Sequence, residues 1–280
     1  QVVVIPIQMF NQFLFVENHH AAALQCRAYN DWVRDWCSTD PTRLFGGAVL
    51  PIQNPLFAAQ ELRRVADLGF KAAMLRPVDV QGCYPNQPSY EPLWNTFEET
   101  GLVVGMHSLT SGLGIQKLNL SGHAFGPGLF QERALDYSQM LSDGSKSQSL
   151  GFIHEAMTWL ANVLLSGFLE RHPRITMATM ESNAGWLPGL LEECDKAVQL
   201  YANERKLEVT ERPSEIYPQK CFIAFEGDEA VVYRQHAFFE DIGIWSSDCY
   251  HADGADAWTA IKEMQEHDVP EIAQMKLMGG

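Results

Sequence analysis

Six polar residues stand where apolar runs stop: Arg76, His107, Glu181, Glu226, Asp228 and Asp248. The clearest case is Gly243–Gly254. There a short apolar strand, Ile244-Trp245-Ser246-Ser247, runs into Asp248 and then a polar loop carrying His251 and Asp253. His107 and Asp248 are an imidazole and a carboxylate, the ligand types that suit zinc, manganese or iron. Glu181 can serve as a third ligand or as a general base. Arg76 can hold a substrate carboxylate bidentately. Each residue also has a bland reading. Asp248 can simply cap the helix expected at Ala255–Met264, a lone strand-end His is commonly a hydrogen-bonded structural residue, an Arg-Pro pair is commonly a salt-bridged loop start, and Glu181 and Glu226 can face solvent. The joint pattern is harder to dismiss than any single member.

The elements that must position these residues alternate. Strands are expected at Val2–Ile5, Phe45–Leu50, Lys71–Leu75, Leu102–Met106, Ile175–Met180, Cys221–Phe225 and Ile244–Ser247, each closed by a polar residue or a proline. Helices fall between them at Ala21–Cys37, from Asn54-Pro55 to Gly69, and at Tyr90–Thr100, Phe152–Glu170, Trp186–Asn203, Glu229–Glu240 and Ala255–Met264. The first of these shows an apolar stripe of Leu24, Ala28, Trp32 and Trp36, read as its core face. The second directs Leu56, Ala59, Leu62, Val65 and Ala66 inward. Strand alternating with helix argues for βαβ units and a parallel sheet. In an α/β barrel the carboxyl ends of the strands converge on one mouth, so Arg76, His107, Glu181 and Asp248 are expected to meet there. The chain has no phosphate-cradling glycine loop and no G-x-S-x-G nucleophile elbow.

Composition narrows the partners. A net charge of −15 with no run of Lys or Arg argues against nucleic acid and anionic membrane surfaces, and no apolar run approaches the roughly 18 residues of a membrane helix. The six cysteines are scattered without a C-x-x-C pair and read as reduced thiols of a cytoplasmic protein, with Cys249 taken as a small buried residue. His19-His20 lacks a partner at metal-ligand spacing and reads as surface or capping. Val2–Ile5 looks like a strand already under way, with no signal peptide before it. The glycine-rich stretch Ser108–Leu150, directly after His107, reads as a lid or interface insertion.

Several stretches resemble the amidohydrolase-related family, in the branch of aminocarboxymuconate-semialdehyde decarboxylase and its non-oxidative decarboxylase relatives. They are Tyr29-Asn30-Asp31-Trp32, Asp40-Pro41-Thr42-Arg43-Leu44-Phe45, Leu75-Arg76-Pro77, Gly167-Phe168-Leu169-Glu170-Arg171-His172-Pro173, Gly185-Trp186-Leu187-Pro188 and Ser247-Asp248-Cys249-Tyr250-His251. The resemblance implies a (β/α)8 TIM barrel with a divalent metal at its mouth, zinc first, with manganese or iron as alternatives. It implies that His107 and Asp248 are metal ligands. The family often holds a catalytic His where this chain has Glu181-Ser182-Asn183. Its first strand carries a His-x-His pair that this chain lacks, so residues 1–280 are expected to be a single barrel domain missing its first strand, a fragment cut at both ends.

The resulting expectation is a metal-dependent lyase that decarboxylates a small unsaturated or aromatic carboxylic acid. Arg76 would anchor the carboxylate, Glu181 would move a proton, and His107 and Asp248 would hold the metal. The alternatives are a metal-dependent hydrolase of a lactone, ester or amide using the same mouth, and a metal-free binding or structural barrel. The partner is expected to be a small-molecule carboxylate, with a homodimer as a possible assembly. The 280-residue chain itself is expected to be inactive, weak in metal binding, and poorly soluble or oligomeric through unpaired strand edges.

Overall fold

The computed structural model describes residues 2–4, 16–76, 85, 87–108, 146–205, 209–249, 251 and 254–279. Most of the expected insertion, residues 109–145, lies outside the described residues, as do Cys83 and Asp253. The chain divides into two compact units, residues 1–148 with 172–177, and residues 149–171 with 178–280.

The first unit is built from β1 (Val2–Val4), α1 (His19–Cys37), β2 (Leu44–Val49), α2 (Pro55–Asp67), β3 (Ala72–Leu75), α3 (Glu91–Thr100) and β4 (Val103–His107). Its strands pair in parallel in chain order, with Val3 beside Phe45, Ala48 beside Ala73 and Met74 beside Gly105. Each strand therefore returns through a helix to lie beside its predecessor, as expected of βαβ units. The helices start where the sequence supplies a cap: Asn18 accepts from the amides of His20 and Ala21, and Asn54 accepts from those of Leu56 and Phe57. Gly69 and Gly101, at φ +89° and +68°, adopt the left-handed conformation that closes α2 and α3.

The face that α1 buries differs from the expected one. Leu24, Trp32 and Trp36 are 69 %, 60 % and 48 % exposed, and Ala28 is exposed as well. The packed face is Ala22, Cys26, Asn30, Val33 and Cys37. Close approach decides the choice: Val33 lies so near β2 that a β-carbon on Gly46 would stand 3.1 Å from it. Asn30 then supplies the specific tie. Its side-chain amide donates to Val49 O at 2.9 Å and to Glu61 at 2.8 Å, and its oxygen accepts from Val49 N at 2.9 Å. Arg64 extends this network, reaching Glu61 and, at 2.6 Å, Asp31. On α2, Leu62, Val65 and Ala59 are buried as expected, whereas Leu56 is 60 % exposed.

The second unit comprises α4 (Lys146–Leu165, all but its first turn), α5 (Phe168–Arg171), β5 (Met177–Met180, all but its first residue), α6 (Leu187–Arg205), α7 (Pro213–Lys220), β6 (Cys221–Glu226), α8 (Ala230–Arg234), α9 (His236–Phe239), β7 (Gly243–Ser246), α10 (Ala257–Glu266) and α11 (Glu271–Leu277). β6 and β7 pair in parallel, with Phe225 beside Trp245 and Glu226 beside Ser246. Three departures from expectation have local causes. The helix expected over Phe152–Glu170 breaks at Gly167, whose φ is +68°. The one expected over Glu229–Glu240 starts one residue late, at Ala230, and breaks at Gln235, whose backbone leaves the helical region at φ −113° and ψ +31°. The connection after α6 holds a further helix, α7, entered through Pro213. No helix among the described residues is long and apolar enough to cross a membrane.

Candidate functional site

At the carboxyl edge of the first unit, the register that sets Leu75 beside Met106 leaves Arg76 and His107 as the next residue of each strand. Both are fully enclosed, at 0 % and 1 % exposure. One small residue makes room there. A β-carbon on Gly105 would collide with the Met74 side chain, so the glycine is what lets Met74 lie across β4. One nitrogen of His107, Nδ1, contacts the Ser108 carbonyl. A carbonyl oxygen only accepts, so this contact has Nδ1 donating.

In the second unit the strand ends build a denser site. Glu181 follows β5 and Asp248 follows β7, two residues beyond Ser246. Both hold left-handed backbone, at φ +43° and +46°, and Asn183 does so at +55°. Non-glycine residues in this region cost of order 1 kcal/mol each and persist where the surroundings force them. The polar chain after Asp248 turns back at once. His251 N donates to Asp248 O at 2.9 Å, and the imidazole Nδ1 lies 2.9 Å from the Asp248 carboxylate. One ligand atom from each of Glu181, Asp248 and His251 falls within 4.8 Å of the other two. Two carboxylates and an imidazole at this spacing form a donor set that suits a divalent cation, oxygen-rich enough for manganese and compatible with zinc.

The site therefore joins two expected residues, Glu181 and Asp248, with His251, which the sequence reading placed only in a polar loop. Its signal was the D-x-x-H spacing across a turn, which returns the imidazole to the carboxylate. Asp248 is not the helix cap. That task falls to Asp256, which accepts from Thr259 N at 2.8 Å. Glu226 is half-buried at the end of β6, and Asp228 is exposed beyond it. Cys249, expected to be buried, is exposed. Burial pushes the Cys221 thiol up to about 12 and, with Asp195 and Glu193 beside it, the Cys194 thiol to about 11, so neither is a nucleophile near neutral pH.

The loops that carry these groups are locked to one another. The buried Glu229 carboxylate accepts from Ala184 N at 2.8 Å, beyond β5, and from Glu226 N at 2.9 Å, at the end of β6. Its burial raises its pKa above the ordinary glutamate value, against the pull of those amides. Trp186 Nε1 donates to Ser182 O at 2.7 Å. A β-carbon on Gly185 would stand 2.6 Å from Val231 of α8, and one on Gly227 would stand 2.9 Å from Asp256 O.

With this geometry in hand, the comparisons with known proteins become informative. A family model described as amidohydrolase matches residues 6–280. The chain belongs to the amidohydrolase family. Gamma-resorcylate decarboxylase of Rhizobium radiobacter is 26 % identical over 178 residues, 60 % of this chain and 47 % of that protein. The chain thus spans about half the length of the curated relatives it matches. Among solved structures, 5-carboxyvanillate decarboxylase from Sphingomonas paucimobilis matches with a TM-score of 0.72 at 17 % identity, over 98 % of this chain and 80 % of that one. The enzyme of the same name from Novosphingobium aromaticivorans, solved with manganese and 4-hydroxy-3-methoxy-5-nitrobenzoic acid, gives 0.68 at 18 % identity, over 95 % of this chain and 70 % of that one. At such identities the likeness fixes the fold.

Proposed function

We propose that this chain carries the metal-dependent, non-oxidative decarboxylation of a small aromatic carboxylic acid, within a (β/α)8 barrel. The observation that carries the reading is the convergence of Glu181, Asp248 and His251 in a chain whose relatives are named as aromatic acid decarboxylases. Asp248 and His251 would hold a divalent ion, a carboxylate–imidazole pair that suits manganese as well as zinc. When bound, the ion would polarise the substrate as a Lewis acid. The residue type of Arg76 suits a substrate carboxylate, although its side chain is enclosed in the first unit. In the reaction the bond from the ring to the carboxyl carbon breaks, carbon dioxide leaves, and the ring carbon keeps the electron pair and takes up a proton. Glu181, at the strand end where the related family commonly places a histidine, would deliver that proton.

A second role for Glu181 rests on a specific observation: its carboxylate lies within 4.8 Å of the Asp248 and His251 donors, which is ligand spacing. The variant Glu181→Gln separates the two. Loss of turnover by about two orders of magnitude with metal content unchanged assigns proton transfer, whereas loss of metal assigns ligation. Full turnover with full metal would remove Glu181 from the mechanism. The reaction class is tested by supplying Mn2+ with 2,6-dihydroxybenzoate or 5-carboxyvanillate and measuring carbon dioxide. A new acid–alcohol or acid–amine pair from a lactone, ester or amide panel, with no carbon dioxide, would overturn it in favour of hydrolysis.

A further inference from the structure

We propose that Glu229 is a positioning residue of this site, holding Glu181 in its left-handed turn by pinning the loop after β5 to the end of β6. The inference rests on the reading of Glu181 as a working group. The turn Glu181-Ser182-Asn183 carries two non-glycine residues at φ +43° and +55°. Such a pair relaxes toward ordinary backbone unless both flanks are tied. One tie is Trp186, whose indole holds Ser182 O at 2.7 Å. The other is Glu229. Its two carboxylate oxygens are divided between the loops, Oε2 on Ala184 N at 2.8 Å and Oε1 on Glu226 N at 2.9 Å. The residue is 8 % exposed, so little solvent is available to replace it. It sits as the residue before α8, and the helix expected to begin with it starts one residue later. A carboxylate buried against the pull of its own desolvation, with both oxygens spent on amides of different loops, fixes the distance between them. Its position one residue before a helix would otherwise ask only for a cap, and its side chain caps nothing in α8.

If Glu229 acts through Glu181, the two residues must be energetically coupled. The test is a double-mutant cycle in the whole protein with Glu181→Gln, Glu229→Gln, Glu229→Ala and each double variant. Mn2+ affinity is read from the free-ion electron paramagnetic resonance signal, and kcat and KM are measured with 2,6-dihydroxybenzoate. Glu229→Ala should shift the same parameter that Glu181→Gln shifts, Kd for the ion or kcat, by about 10-fold or more. Glu229→Gln keeps one acceptor oxygen and should fall between wild type and Ala. In the Glu181→Gln background neither Glu229 change should add a further loss. Asp195→Asn is the structural control: that carboxylate also ties two segments, accepting from Ser214 N and Oγ, but between α6 and α7. It should lower the melting temperature while leaving Kd and kcat alone. Multiplicative losses in the double variants, an equal loss from Asp195→Asn, or wild-type values in Glu229→Gln and Glu229→Ala while Glu181→Gln is impaired would each overturn the role. In the last case the reading of the site itself stands. If Glu181→Gln, too, matches wild type, that reading falls with it. Glu229→Gln is nearly isosteric and keeps the test decisive if the Ala variant does not fold.

Discussion

Replacing Gly254 with alanine probes the candidate site without touching a donor atom. A β-carbon at this position would stand 2.6 Å from Ser247 O and 2.8 Å from Asp248 O. Carbon–oxygen contacts in proteins close at about 3.3 Å, so the chain must open by roughly 0.5–0.7 Å. The obstructing atoms are backbone and have no rotamer to escape through. The strain falls on the bonds that wind the loop, His251 N to Asp248 O at 2.9 Å and Gly254 N to His251 O at 3.3 Å. It therefore acts on the spacing of the Asp248 carboxylate and the His251 imidazole. Overpacking of this kind costs about 1–3 kcal/mol of stability. Disturbing the groups that orient ligands weakens metal binding by about 10–100-fold, equivalent to about 1.4–2.8 kcal/mol. Titration of Mn2+ against the wild type, Gly254→Ala and Asp248→Asn gives the assay, with Asp248→Asn setting the floor. Wild-type Mn2+ affinity in Gly254→Ala, beside a clear loss in Asp248→Asn, would show that the loop geometry does not set the site.

Three further outcomes follow from the packing. Asn30→Ala removes three buried hydrogen bonds and strands Val49 N and Val49 O, while the Glu61 oxygen keeps Arg64. At about 1–3 kcal/mol for each group left unsatisfied, a loss of about 3–5 kcal/mol is expected in urea denaturation, and a loss under 1 kcal/mol would show the network to be dispensable. Glu170 is tied to Thr210 and Glu211, and although burial is the largest single influence and works to raise its pKa, these hydrogen bonds together hold it below the ordinary value of 4.5. A depressed carboxylate contributes stability above its unfolded pKa and loses it as pH falls through its folded pKa. Glu170→Gln should therefore be less stable than wild type by about 1 kcal/mol at pH 7, and the gap should close below pH 4.5. A gap that widens in acid would reverse the sign. Gly189, exposed in the first turn of α6, has nothing within 4 Å of an added β-carbon, so Gly189→Ala should raise stability by about 0.5 kcal/mol and leave Mn2+ binding unchanged.

All seven strands were legible because each is a short apolar run with a marked end, and the observed strands agree with expectation to within two residues at either end. Helix faces were less legible. In α1 the large residues at i, i+4 spacing, Leu24, Trp32 and Trp36, outweigh the small ones in any count of hydrophobicity, yet the small face is buried. Contact with a strand containing Gly46 and Gly47 rewards close approach, and Ala22, Cys26 and Val33 permit it where tryptophan does not. Asn30 on that face looks like an error in an amphipathic pattern. Its partners Val49 and Glu61 lie 19 and 31 residues away, a distance that local pattern does not span.

The same contrast separates the motifs of the resemblance that hold the fold together from the residues at the strand ends. Tyr29-Asn30-Asp31-Trp32 holds α1 to β2 and α2 through Asn30 and Asp31, and Glu170 in Gly167–Pro173 anchors the start of α7's connection through Thr210. His172 lies between Glu91 and Glu98, at 3.6 Å and 3.5 Å, and so ties the chain before β5 to α3. These motifs are signatures of how the fold is closed. The strand-end residues have the opposite character. Glu181 and Asp248 accept unfavourable backbone angles, and their neighbours Gly185, Gly227 and Gly254 have no room for a β-carbon. Unfavourable backbone angles at Glu181, Asn183 and Asp248 persist only where the surroundings force them, and that is consistent with a geometry being held there. Residue type could suggest His107, Glu181 and Asp248 because their chemistry is intrinsic to the side chain. The proposed roles of His251 and Glu229 rest on where the backbone turns and what their atoms reach, and only the folded chain carries that information.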